Sequence, residues 1–396
     1  MLVRSAEVGG EPGVDRAQAH RGRVVVQAWI ASRGLIAAVA LIIAIVDQRS
    51  LTDLVSNWDV QHFVRLAEGG YFAEPDRILM AFFPGLPVLL SLFAQLGAPM
   101  AVSGVIISTL CSGIAAAALY RLGGPWAAVA WLFAPTAVFT TVPYTESLFC
   151  AAAFWAWERA RSDRWLAAAV LASIACTVRV SGVFLVGALL VMIISDRIDW
   201  HVKISRAGLM LIPAAVIAGF VGYLYLLTGS WTAWYHAQST GWVRGLTWPW
   251  DSFKNTIPAI VPGAYADHPW WAAVFRGEVI SMAVGLGVTV WCLVVSIRAR
   301  RSPRPEIAEG RGLWGEASWV GIQVVAFSLS YWFFSVNRAT LLWFPLWIMI
   351  GRWVAWQPRP RLGRIAHRSL VGVAFATEIV LMIWWSWLYF TGHWAS

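Results

Sequence analysis

Charge is what this sequence has least of. Of its 396 residues only 13% are Asp, Glu, Lys or Arg, against about 25% in an ordinary soluble chain, and 59% are hydrophobic. A soluble globular protein of this length is excluded. No glycine-rich phosphate loop is present, and no polar stretch is long enough to fold as a second, soluble domain. A nucleotide-sugar site is therefore not expected. Four cysteines, Cys111, Cys150, Cys176 and Cys292, all lie inside apolar runs, without metal-ligand spacing or the loop setting of a disulfide. They read as small buried apolar side chains. Neither an internal repeat nor a low-complexity tract is visible. Residues 1–24 are polar, carry Arg4, Arg16, Arg21 and Arg23, and lack a small-residue cleavage site. They read as a cytoplasmic tail ahead of a signal anchor.

What is abundant is apolar length. Runs near 29–46, 80–97, 102–119, 126–141, 143–157, 165–178, 181–194, 208–227, 273–297, 316–335, 340–356 and 369–390 approach the roughly 20 residues that cross a bilayer as a helix. Backbone in lipid must bond within its own segment, so an all-α, polytopic transmembrane bundle of about 11 spans is expected. It would form one domain over 25–396. The net charge of +9 does not point to nucleic acid. The basic residues sit in short loops such as 298–311 and 352–368, which is the pattern that marks the cytoplasmic side, where anionic lipid headgroups are partners. With the N-terminus cytoplasmic, 47–79 is the first extracytoplasmic loop and 228–272 a long second one. Between 80 and 157 the charge pattern allows three crossings, fewer than the apolar segments there, so some must be short or merge with neighbours. Pro135 and Pro143 make irregular helices reasonable there. Many of the 27 tryptophans lie near span ends, as an interfacial belt requires.

The polar residues of the outward side stand apart. The stretch NWDVQHFVRLAEGGYF (57–72) has helical spacing, with Trp58, Val60 or Phe63, Leu66 and Ala67 on an apolar face and Gly69-Gly70 as a stop. An amphipathic helix at the outer membrane surface is expected. Asp59 and His62, three apart, share one side of it. Ser56-x-x-Asp59 also fits a capping box, so local spacing alone favours Asp59 as a helix cap, with a reactive carboxylate as the alternative. VPYTESLF (142–149) places Glu146 and Tyr144 between apolar segments, and an acid at membrane depth marks a functional site by default; a helix cap is the plainer alternative. Arg179 and Arg338 project outward, either into a site or snorkelling to headgroups. In WYHAQSTGW (234–242), His236 and Gln238 are candidates for sugar contact. Asp59 and His62 with no visible third ligand do not make a metal site, and no cofactor is required.

NWDVQHFVRLAEGGYF followed by AFFPGLP (81–87) resembles the PIG-V family. These are multi-span mannosyltransferases of the GT-C class, named for the enzyme that adds the second mannose to glycosylphosphatidylinositol precursors. The resemblance is carried by Trp58, Asp59, His62, Phe63, Gly70, Tyr71, Ala81, Phe82, Phe83, Pro84 and Pro87, and continues through PYTESLF (143–149), RVSG (179–182) and FFSVNRATLLWFP (333–345). Val60 stands where glycine is common after Trp-Asp, and Gly85-Leu86 where an aromatic is common. The departures bear on the acceptor more than on the reaction class. The resemblance implies a GT-C fold, a polyprenyl-phosphate mannose donor, and a glycolipid or glycan acceptor outside the cytoplasm of a plasma (cell) membrane. It implies an inverting transfer with Asp59 as general base and His62 orienting Asp59 or bonding the phosphate. Trp58, Tyr144, Glu146, Arg179, His236, Gln238 and Arg338 would bind substrate, the arginines holding phosphate. A transporter or flippase of a lipid-linked sugar is the rival reading. It fits less well, because the acids cluster at one face and no repeat is found.

Overall fold

The computed structural model describes residues 12–74, 76–301 and 312–395. They fold as helices α1 (Pro12–Val46), α2 (Leu51–Val55), α3 (Asp59–Gly69), α4 (Gly85–Gln95), α5 (Met100–Gly123), α6 (Pro125–Leu132), α7 (Glu146–Arg161), α8 (Trp165–Val178), α9 (Ser181–Ser195), α10 (Trp200–Leu209), α11 (Leu211–Thr228), α12 (Ala233–Trp242), α13 (Pro249–Ile260), α14 (Pro269–Arg301), α15 (Trp314–Ser328), α16 (Val336–Ala339), α17 (Phe344–Ala355) and α18 (Arg361–Phe390), joined by short 3-10 turns. The described residues form no sheet; one isolated antiparallel bridge joins Leu246 to Ser330. The all-α expectation holds.

Five helical stretches are long and apolar enough to cross a membrane: Arg21–Val46, Met100–Gly123, Trp200–Thr228, Pro269–Arg301 and Arg361–Phe390. Four shorter apolar helices, α4, α8, α9 and α17, accompany them. The chain is a multi-pass membrane protein, and among the described residues five helices meet the length and apolarity of a span, where about eleven spans are expected. Between 80 and 157, α4 has 11 residues and α6 has 8, about 16 and 12 Å at 1.5 Å per residue, well below a hydrocarbon core of about 30 Å. Helix α1 already begins within the polar lead, at Pro12; residues 1–11 lie outside the described residues, as does most of the basic loop 298–311. The long segment 228–272 is ordered by two helices of its own, α12 and α13.

The core lies around α7, which packs against α5 and α8. Small residues face each other there: Ala152, Ala153, Ala156 and Ala160 on α7, Ala168, Ala172 and Ala175 on α8, all buried. Such residues let helix backbones approach closely where lipid gives no hydrophobic push between helices. Gly351 of α17 shows how close backbones come, since an added Cβ would sit 2.5 Å from the Ala127 nitrogen of α6. The expected irregularity at Pro135 and Pro143 is present as a buried non-helical stretch with a 3-10 turn at Ala137–Thr140. Its polar atoms are met by Arg33 of α1, whose Nη1 donates to the Thr140 carbonyl (3.0 Å) and to the hydroxyls of Thr140 (2.5 Å) and Thr141 (2.9 Å), while Nη2 donates to the Leu132 carbonyl (3.2 Å). Irregular backbone at membrane depth survives where protein satisfies it. Cys150, Cys176 and Cys292 are buried free thiols as expected, and Cys111 is half-buried.

Candidate active site

Asp59 is placed by the turn before it. Asn57 donates to the carbonyls of Leu54 (3.1 Å) and Tyr389 (2.8 Å), and the Tyr389 hydroxyl donates back to Val55 (2.9 Å). This ties the start of α3 to the end of α18. Trp58 takes a left-handed backbone (φ 56°), and the Asp59 amide then donates to the Tyr144 hydroxyl (3.3 Å). The capping box is not formed. Ser56 closes α2 instead, its hydroxyl donating to the Thr52 carbonyl (2.6 Å), and α3 has no side-chain cap. The Asp59 carboxylate is thereby left for tertiary contact.

That contact is Arg338. Its Nη1 lies 3.1 Å from Asp59 Oδ2 and 3.7 Å from Glu146 Oε1, and its Nη2 donates to the Ser335 hydroxyl (3.2 Å). The guanidinium also stacks 5.2 Å from the Phe139 and Tyr144 ring centres. Burial works against its charge, but Asp59 and Glu146 more than offset that and hold its pKa above the ordinary arginine value. Glu146, fully buried, accepts from Arg179 Nη1 at 2.7 Å, and the same nitrogen reaches the Thr145 hydroxyl (2.7 Å). Two acids and two arginines thus alternate as Asp59–Arg338–Glu146–Arg179. Neither arginine snorkels, and Glu146, first residue of α7, serves as an ion-pair partner.

The segment carrying Arg338 is fixed from below. Glu278 of α14, fully buried, accepts from the backbone amides of Ser335 (3.1 Å), Val336 (2.5 Å) and Asn337 (3.0 Å). Ser335 is left-handed (φ 64°), which turns successive amides toward one anion. Indole N–H groups of Trp131 and Trp319 hold the carbonyls of Leu341 and Leu342, both at 2.9 Å.

Two cavities meet at the Asp59–Arg338 pair. The first, about 380 Å³, runs between apolar walls that include Phe63, Phe83, Phe184 and Phe327. Its charged lining is Asp59 with Arg179, Arg244 and Arg338. The second, about 290 Å³, is lined by Trp58, Asp59, His62, Tyr144, Trp242 and Arg338 among others. Arg244 was not foreseen. It sits between α12 and α13, half-buried; its Nη2 donates to the Phe334 carbonyl (3.4 Å) and its Nε has no partner. No carboxylate pairs with it among the described residues. Burial lowers its pKa to about 10, with Arg338 pushing the same way, so it stays charged at neutral pH. Three guanidiniums facing one carboxylate make the first cavity a place for an anion.

The other candidates divide. Gln238 lines the first cavity and, with the Trp234 indole, donates to the Ala81 carbonyl (3.3 and 3.1 Å), pinning α12 to the proline turn at 81–87. His236 is exposed and lines neither cavity. On a helix turning about 100° per residue, positions two apart cannot face the same way. Trp58 lines the second cavity and is 41% exposed. His62 does not bond Asp59; it donates from Nδ1 to Glu74 (3.2 Å) and stacks on Phe82. Glu74 also pairs with Arg65. Among the described residues no three His, Cys, Asp or Glu side chains come together as a metal site would need.

Residues 28–228 match the family model described as mannosyltransferase (PIG-V). GPI alpha-1,6-mannosyltransferase 2 of Rattus norvegicus is 33% identical over 155 residues, and the Homo sapiens protein of that name is 30% identical over the same length. Each match takes in 34% of this chain and 31% of the relative, so the chain spans about a third of the length of the curated relatives it matches. Among solved structures, ArnT from Cupriavidus metallidurans bound to undecaprenyl phosphate is similar with a TM-score of 0.45 and 14% identity, over 92% of this chain and 76% of that one.

Proposed function

The chain belongs to the PIG-V mannosyltransferase family, and from that premise we propose that it moves mannose from a polyprenyl-phosphate donor to a hydroxyl of a glycolipid or glycan. The transfer takes place outside the cytoplasm, on a GT-C scaffold. The observation that carries the proposal is Asp59 at the junction of two cavities, one of them armed with three guanidiniums. A phosphodiester-linked donor needs an apolar channel for its chain and cations for its phosphate, and the first cavity supplies both kinds of wall.

In the transfer, the acceptor oxygen attacks the anomeric carbon from the face opposite the phosphate, so the configuration inverts. Its proton passes to the Asp59 carboxylate as the new bond forms. The bond between the anomeric carbon and the phosphate oxygen breaks, and polyprenyl phosphate departs with the electron pair. Arg338, Arg179 and Arg244 stabilise the charge that grows on that phosphate. Arg338 has a second duty: paired with Asp59 at rest, it holds the carboxylate in place until phosphate competes for it. Glu146 keeps Arg179 and Arg338 turned inward.

The test is mannose transfer from radiolabelled polyprenyl-phosphate mannose in membranes holding wild type or Asp59→Asn at matched expression. Loss of a general base costs about 10²–10⁴ in rate, so transfer should fall at least a hundredfold. Equal transfer by both would remove Asp59 as the base. Absence of transfer by wild type, with the donor moved across vesicles instead, would favour a carrier of lipid-linked sugar.

A further inference from the structure

The second cavity has a chemistry unlike the first. Across the Asp59–Arg338 pair its wall is aromatic: Trp58, Trp242, Phe334 and Trp394 line it with Tyr144. Its one cation is Arg338, shared with the first cavity. Flat rings with little charge suit the C–H face of a neutral pyranose, just as they suit other ring ligands. At about 290 Å³ it lies at the small end of ligand pockets, about 300–1,000 Å³, which fits one or two sugar rings.

His62 is the polar group of this wall, and its state is set from behind. Glu74, nearly buried, lies 3.2 Å from Nδ1, and a carboxylate there accepts from a protonated Nδ1; a ring carrying only that proton presents Nε2 as its acceptor nitrogen. The imidazole is further clamped between Phe82 (5.3 Å, stacked) and Trp242 (6.1 Å, edge-on). Among the described residues Nε2 has no partner. Arg65 pairs with the same Glu74 oxygen, Oε1, and keeps that carboxylate compensated.

We propose that the second cavity is the acceptor chamber, in which a neutral pyranose stacks on Trp58 and Trp242 and a sugar hydroxyl donates to His62 Nε2, with Glu74 as the positioning residue that fixes the imidazole. This rests on the transfer reading above. The acceptor oxygen and the leaving phosphate then come to the anomeric carbon from different cavities, with Asp59 within reach of the acceptor hydroxyl, as an inverting displacement requires. His62 orients the acceptor and does not act on the phosphate, because it lines the cavity away from Arg179 and Arg244.

The experiment uses full-length protein in detergent with labelled polyprenyl-phosphate mannose and octyl mannoside or octyl glucoside as acceptor probes. Wild type should turn the donor over and mannosylate, or be competitively inhibited by, at least one octyl glycoside. Trp58→Ala and His62→Gln should raise the probe's KM or inhibition constant about tenfold or more while the donor KM stays within about twofold. Glu74→Gln should reproduce the His62→Gln effect, and Glu74→Asp should recover part of it, which a merely structural carboxylate would not do. If wild type consumes donor but neither probe reacts or inhibits, or if these variants shift the donor KM instead, the chamber assignment is overturned. If wild type does not consume the donor at all, it is the transfer reading that fails.

Discussion

Glu278→Gln is the perturbation that tests how the site is assembled. Glu278 Oε2 accepts from Val336 and Asn337, and Oε1 from Ser335. Glutamine keeps one acceptor oxygen. In its better orientation it retains the Val336–Asn337 pair and turns an NH2 toward the Ser335 amide. One charge-assisted bond is then lost, worth about 1.5–3 kcal/mol, and the other two lose the ionic share of their strength. The total is on the order of 2–4 kcal/mol against the turn Ser335–Ala339, whose last residues present Arg338 to Asp59. If the turn opens into competing conformations by that amount, the arranged site becomes a minority state. Since each 1.4 kcal/mol is tenfold, turnover should fall by about 30–700-fold. The protein as a whole should survive, because the Trp131 and Trp319 bonds that anchor Leu341 and Leu342 are untouched. The assay pairs initial rates with a thermal melt in detergent, followed by size-exclusion chromatography. A monodisperse variant with turnover within twofold of wild type would refute the view that this carboxylate sets Arg338.

Two further outcomes follow from the geometry. Arg244→Ala should raise the donor KM at least tenfold with the acceptor KM unchanged, and Arg244→Lys should recover only part of the loss because an ammonium lacks the planar fork; initial-rate kinetics against both substrates decide this. Gly351→Val should abolish extraction of folded protein, since its Cβ would meet Ala127 backbone atoms at 2.5 and 2.8 Å and backbone cannot yield as a flexible side chain can; fluorescence-detected size exclusion of detergent extracts reads it.

Fold class was legible because it follows from composition: an apolar chain in lipid has only helices to form. The end of α3 was legible too, for Gly70 adopts φ 72° where the sequence places two glycines. What sequence spacing left open was which of several local bonds wins. Ser56 stands three before Asp59 in both a cap and a non-cap, and the choice fell to α2, whose last turn claims the Ser56 hydroxyl. His62 found its partner in Glu74, twelve residues on and beyond a 3-10 turn, where no helical periodicity reaches. Glu278 gave a signal that passed as part of the apolar run 273–297: a lone acid inside a span is costly unless something satisfies it. Its partners lie 57 to 59 residues away and exist only once α14 and α15 are packed. Arg244 offered less, being one arginine among the aromatic residues of 228–272.

Asp59 and Arg338 are 279 positions apart, so the pair that would do the chemistry is also a contact that ties α3 to α16 near the other end of the chain. A carboxylate locked to a guanidinium is a poor base while the lock holds. On the proposed reading, only a ligand able to draw Arg338 away can release Asp59, and among the reactants that ligand is the donor phosphate, helped by Arg179 and Arg244 on the same wall. Water or an acceptor hydroxyl alone offers Arg338 no charge to prefer over Asp59. The base is therefore unmasked in the presence of the leaving group it must act with, and an acceptor waiting in the aromatic chamber meets a reactive carboxylate only after the donor is seated.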